Sequence, residues 1–402
     1  MTLIFLSLAS FSRKLNVGIE ISLLLFILYA GILVIGVLLS TLSPLCLVMM
    51  QLCPEMSPFW FYAVGSSSGL VNWIAVALSA LSDVMPPKWR APSFGLLLAG
   101  LSLGFAMAPG LALLLGHFNV SVMSLFAVLL GVVVSVVFFP ETLAPQAALE
   151  AKMKREARLE GLNSKEKLLW NIKRPIFELS ILNRNRLFRL LSSLAFFSGV
   201  VSSGDQTLLL YYIEDRLGFD DKDIALMFLM MGVLGIFVQA VVLKILNDAI
   251  GERLLVTFCF VLGSIHNILY GFAVNKTMVF IAAGISSLVG MSFPTISAIK
   301  ANNVNESEQG RIQGALYSIQ ALASGAGPIV MRTVYKYTKD TAYPGAMFMV
   351  AGGIMLIAVA CAYALPEEAN SKRPEPRPVY EETDVSEGDR VPPSANTPLL
   401  EN

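Results

Sequence analysis

The sequence predicts an all-α membrane protein of about ten transmembrane helices, and three observations lead to that class. Of its 402 residues, 55% are hydrophobic and 14% are charged, whereas a soluble domain carries about 25% charged residues. Ten stretches are long and apolar enough for a helix to cross the hydrocarbon, which takes about 20 residues. Lys and Arg fall in alternate connections between those stretches, as they do when basic residues collect on the cytoplasmic side.

The ten stretches are 21–48, 59–82, 94–116, 120–139, 190–213, 224–243, 254–274, 278–299, 313–334 and 344–365. The first is long and contains Pro44, a possible break, and Met1 to Ser12 is too short for a span and lacks the charged start of a signal peptide. With Arg13 and Lys14 inside, ten alternating crossings place 23 of the 29 basic residues on the cytoplasmic side and six on the other. Splitting 21–48 into two spans would put one basic pair on the wrong side, so it counts as one. Both termini are then cytoplasmic, in a multi-pass protein whose membrane the sequence does not name.

Four segments follow: an N-terminal bundle over 1–140, a cytoplasmic linker over 141–187, a six-helix bundle over 188–365 and a tail over 366–402. The linker's mixed charges (Glu150, Lys152, Lys154, Arg155, Glu156, Arg158, Glu160) suit a solvated helix along the membrane face. The tail has nine acids, four bases and seven prolines, a composition that buries no core and predicts disorder.

The composition also excludes several classes. Formal net charge is zero, with 29 basic and 29 acidic residues, which leaves no electrostatic case for nucleic acid. Four cysteines, mostly in apolar runs, and two distant histidines match no disulfide framework or metal spacing, so neither metal nor cofactor is expected. Gly65-Ser66-Ser67-Ser68-Gly69 fits a serine-hydrolase pattern but lies in a span, where it reads as helix packing. No P-loop sequence is present to couple ATP, and no enzymatic activity is expected.

An internal repeat carries more information than any single motif. Gly95-x8-Gly104-x3-Ala108-Pro109 lies on the third span and Gly314-x8-Ala323-x3-Gly327-Pro328 on the ninth, every position offset by 219. Small residues at this spacing share a helix face and let a neighbouring backbone approach, while each proline allows a local bend. Two related halves are expected. By the same offset, six spans follow the linker but only four precede it, so the first half is expected to start two helices late.

These residues carry a family resemblance. The two runs resemble the antiporter signature of the fifth and eleventh helices of the major facilitator superfamily, although Ala108 replaces a glycine and the closing Gly-Gly is absent in the first copy. Leu246 to Arg253, with Asp248, Gly251 and Arg253, resembles the second-half copy of the superfamily's Gly-x-Leu-x-Asp-x-x-Gly-Arg loop. Gly204-Asp205-Gln206, Tyr211-Tyr212, Gln239 to Leu243, Ser292-Phe293-Pro294, Gln309 to Gly314 and Pro140-Glu141-Thr142 are similar to the hippocampus abundant transcript and tetracycline/proton antiporter families. Over residues 59–365 the resemblance implies two rocking bundles that pass a small solute by alternating access.

Candidate site residues follow from polarity within the spans. Asp205 is an intramembrane carboxylate, costly unless it faces a cavity or partner, and suited to taking up and releasing a proton; hydration near the outer surface is the plainer alternative. Gln206, Gln239, His266, Asn267 and Asn72 are candidate solute contacts, against interhelical hydrogen bonding. Asp83 with Arg90, and Asp248 with Gly251 and Arg253, are candidate latches at cytoplasmic turns, against simple solvated loops. The expected partners are a small, uncharged or weakly charged organic solute, a proton and the surrounding lipid, with the protein monomeric. The contrary reading is a non-transporting paralogue with a receptor-like or regulatory role.

Overall fold

The computed structural model describes residues 19–67, 71–138, 178–305 and 308–366, with isolated helical positions at 149, 153, 157, 170 and 173. Most of the expected linker helix and the expected disordered tail lie outside the described residues. Among the described residues the structure is helical and has no strand.

The first half opens with α1 (Ile19–Leu52), which runs through Pro44 as one helix. The expected second span is not one helix but two, α2 (Phe59–Ser67) and α3 (Trp73–Val84). Its residues 65–72 are Gly, Ser and Asn-rich and weak helix formers. Asn72 adopts an extended backbone (φ −81°, ψ 100°) as the N-cap of α3, its side chain accepting from the Ile74 and Ala75 N–H groups at 3.0 and 3.1 Å. The long α4 (Pro87–Phe138) holds the third and fourth spans and breaks between them at Gly116, whose φ of 73° favours glycine.

The second half starts with a 3-10 turn at Leu179–Asn183 and α5 (Arg186–Leu217), which is capped by Asn185 and stopped by left-handed Gly218. A capping box of Asp220 and Asp223 opens α6 (Asp221–Phe237). A π-helical segment (Val238–Val242) then leads into α7 (Leu243–Gly271), broken at Gly251 with φ 78°. The eighth expected span is again two helices, α8 (Lys276–Val289) and α9 (Ser292–Asn302), and α10 (Gln309–Thr338) and α11 (Ala346–Tyr363) complete the chain.

Seven helical stretches among the described residues are long and apolar enough to span a membrane. One of them, Asp221–Gly271, has 51 residues and turns at Gly251, so it serves two crossings. The split helix over 59–84 and the more polar α10 account for the remaining expected spans. Phe126 and Val137 stay 66% and 63% exposed on α4, as side chains facing lipid do.

Both broken spans obey the repeat. The N-caps of α3 and α9 are Asn72 and Met291, 219 positions apart like Gly95 and Gly314. Among the described residues, two seams join the halves. Along one, α4 meets α6 and the π segment: Gly232 lies against Ala106, Gly235 against Ser102, and Phe105 stacks on Phe228 at 6.3 Å. The other is an apolar cluster at the Arg90 end, in which Leu78, Ala91 and Phe94 pack with Ala298 and Ala301, all fully buried.

Candidate functional site

Within the second half, α5 and α7 bring a carboxylate and an imidazole together. His266 Nε2 lies 3.6 Å from Asp205 Oδ2, with the two side chains 5% and 16% exposed. His266 Nδ1 faces the Leu262 carbonyl at 3.2 Å, while Asn267 Nδ2 sits 3.0 Å from Nε2 and also donates to the Gly263 carbonyl at 3.0 Å. The hydrogen bonds thus favour the tautomer with its proton on Nδ1. In that tautomer the Nε2 lone pair accepts from Asn267, and Asp205 Oδ2 lies 3.6 Å from the same nitrogen. Tyr270 packs edge-on against the imidazole at 5.6 Å. One face of the pair is therefore walled by polar and aromatic side chains, with Asn267 fully buried.

The other polar candidates stand apart from this cluster. Gln206 is exposed beside Ser202, 3.4 Å away. Asn72 is the cap of α3, so its acceptor oxygen is already used by the backbone. Gln239 lies in the π segment and donates to the Gly290 carbonyl at 3.0 Å, satisfying a group freed where α8 ends, while its Oε1 is buried without a partner. π-helical turns often mark functional positions.

The glycine motifs divide unequally. A Cβ at Gly95 would meet Leu243 and, at 2.9 Å, the Gln239 carbonyl; one at Gly327 would meet Ser203 and the Val200 carbonyl. Gly104 and Gly314 face open space instead, so the neighbouring backbone approaches each small-residue face at one position and not along its length. The crossings use one end of each motif, and Pro109 and Pro328 lie inside unbroken helical segments.

At the basic end, Arg90 joins the halves. It donates to the Met85 and Ser82 carbonyls at 3.1 and 2.9 Å, and across the seam to the Ala301 carbonyl and Asn302 Oδ1 at 2.9 and 3.0 Å. Asp83 lies beside this site on α3. Lys244 stacks over the Trp89 ring at 4.1 Å, also across the halves. Gly251 makes the expected tight turn, with Asp248 exposed before it, and Arg253 donates to the Tyr363 carbonyl at 2.8 Å. That contact ties the turn to the end of α11, within the second half.

Two buried ions escape a reading of the sequence. Lys300 is 1% exposed and donates to Ser192 Oγ at 3.1 Å. Glu252 is 2% exposed and accepts from Asn302 Nδ2 at 3.5 Å. The only sequence signal for Lys300 is its place on the α9 run Ser292 to Asn302, two residues before the polar pair Asn302-Asn303.

The family model described as Major Facilitator Superfamily matches residues 29–247 and again 240–401. The chain belongs to this superfamily. Among its relatives, hippocampus abundant transcript 1 protein of Homo sapiens is 21% identical over 346 residues, 79% of this chain and 68% of that protein. Tetracycline resistance protein, class H, of Pasteurella multocida is 25% identical over 292 residues, 70% and 66% of the two chains. The human organic anion transporter MFSD10 shares the fold, with a TM-score of 0.68 at 19% identity over 83% of this chain and 77% of that one. The superfamily comprises membrane transporters, and its fold is the integral, multi-pass arrangement described above.

Proposed function

We propose that this superfamily member moves a small organic solute across a membrane by alternating access, with a proton as the coupling ion. The Asp205–His266 pair carries the reading. A carboxylate and an imidazole 3.6 Å apart, inside spans and fixed by Asn267, form a site that holds one proton between two groups and can give it up when its surroundings change. A relative named for tetracycline resistance supports a small organic solute. The closed Arg90 end supports entry from the opposite face in this state, with that end and both termini on the cytoplasmic side by the distribution of basic residues.

In proteoliposomes, uptake is expected from a solute panel when an inward proton gradient is imposed. Asp205→Asn abolishes the gradient-driven component and leaves solute exchange in place. Unchanged uptake with unchanged pH dependence removes Asp205 from the mechanism. A well-folded wild-type protein that moves none of the solutes supports the receptor-like reading instead.

A further inference from the structure

Lys300 is the buried charge that the transport reading leaves unused. It occupies the last turn of α9, where the carbonyl end of the helix favours a cation, yet its side chain is shut away from solvent. Its one bond is to the neutral Ser192 hydroxyl on α5, and no carboxylate lies within ion-pair distance of it among the described residues. Glu252, the buried carboxylate of this end, is engaged at Asn302. Buried charges persist when an opposite charge balances them, and a hydroxyl dipole does not do so.

This end of α9 and the start of α10 also carry neutral polar groups. Gln309 and Gln313 donate from their amides to the Ala301 and Ser297 carbonyls at 2.9 and 3.5 Å. Ser297 Oγ and both glutamine Oε1 atoms are buried without partners. Lys300 also immediately precedes Ala301 and Asn302, the two residues that hold Arg90 across the seam. Opening that end therefore moves the helix that carries Lys300.

We propose that Lys300 is the counter-charge for the transported solute, which is an organic monoanion of the carboxylate class. A single buried lysine with no carboxylate partner among the described residues matches one negative charge. Ser192, which accepts from Lys300, keeps its own O–H to donate to a carboxylate oxygen. The assignment rests on the transport reading for its place in a cycle, though binding alone tests it.

The test uses the purified full chain with benzoate, hexanoate and indole-3-acetate, each against its uncharged primary amide. Binding by calorimetry is expected to favour each carboxylate at least ten-fold over its amide. Lys300→Gln brings that ratio close to one and Lys300→Arg keeps most of it. Ser192→Ala retains the charge and weakens carboxylate binding about three-fold, which covers a Lys300→Gln protein that does not fold. Equal binding of acids and amides by the wild type, no binding of any of the six, or a preference that survives Lys300→Gln overturns the assignment. Carboxylate binding through Lys300 without uptake in proteoliposomes keeps it and removes transport; gradient-driven uptake of the amides alone does the reverse.

Discussion

Arg90 and Asn302 are 212 positions apart in the chain and 3.0 Å apart in space, joined guanidinium to side-chain oxygen across the two halves. The neighbouring Ala301 carbonyl takes a second bond from the same nitrogen at 2.9 Å. Both lie at the C-terminal end of α9, whose unsatisfied carbonyls attract a cation. Arg90 thus fastens a helix end of the second half to the start of α4.

Removing that fastening should loosen the closed end. Hydrogen bonds from charged groups contribute about 1.5–3 kcal/mol, so Arg90→Ala is expected to shift the closed arrangement by about 2 kcal/mol, roughly thirty-fold in population. A cysteine placed at the fully buried Ala298, with Cys46, Cys53, Cys259 and Cys361 replaced by serine, reports the change. Its labelling rate should rise at least five-fold; an unaltered rate would show that the apolar cluster alone keeps this end shut.

Asp205 and His266 should behave as one unit. Residues in contact couple by about 0.5–3 kcal/mol in double-mutant cycles. Asp205→Asn and His266→Gln are each expected to remove proton-driven uptake, and the double variant to lose little more than either. Additive losses, read from initial uptake rates in proteoliposomes, would mean that the two act separately.

The glycine motifs allow a direct contrast. Gly327→Leu drives a side chain into Ser203 and the backbone of α5, whereas Gly104→Leu projects into open space. Overpacking costs about 1–3 kcal/mol, so the first variant should melt several degrees lower in detergent while the second melts with the wild type. Equal melting temperatures would remove Gly327 as the point of close approach.

The turn before α10 carries a pH-dependent contact outside the spans. Arg184 donates to Glu308 through both terminal nitrogens, one at 3.0 Å, and this bonding holds the Glu308 carboxyl below its ordinary value of 4.5. Because the folded value is the lower one, the contribution is fully present above the ordinary value and is lost as pH falls through the depressed one. The pair is partly exposed, at 38% and 20%, so it contributes under about 1 kcal/mol. Melting of wild type and Glu308→Gln should differ slightly at pH 7 and converge near pH 3. A difference that grows on acidification would reverse the sign.

Hydropathy made the ten crossings legible, since a run of about 20 apolar residues has few alternatives to a spanning helix. It could not show that 59–82 and 278–299 are each two helices, because a break with apolar flanks leaves the average unchanged. Asn72 looked like a polar group facing a cavity when it is a cap, a distinction that depends on backbone angles. Gly251 was readable because its tight turn demands glycine. Asp205 and His266 were each visible as polar residues in spans, but 61 positions separate them and only the fold, in which α5 and α7 both pack on α11, makes them a pair. Lys300 was hidden for the opposite reason: a cation near a helix end reads as a loop residue until the neighbouring helices are seen to enclose it.

The two breaks related by the 219-residue offset are secured differently. The first is self-contained, since Asn72 on the broken strand of chain binds the N–H groups of the helix that follows it. The second depends on a lodger from elsewhere: the Gly290 carbonyl is held by Gln239, which belongs to the π segment after α6. A helix that carries its own cap keeps its start wherever the rest of the molecule goes. A joint fastened by a neighbour stiffens only while that neighbour stays in register, so displacement of the π segment would slacken α8 against α9 and leave the Asn72 cap of α3 in place.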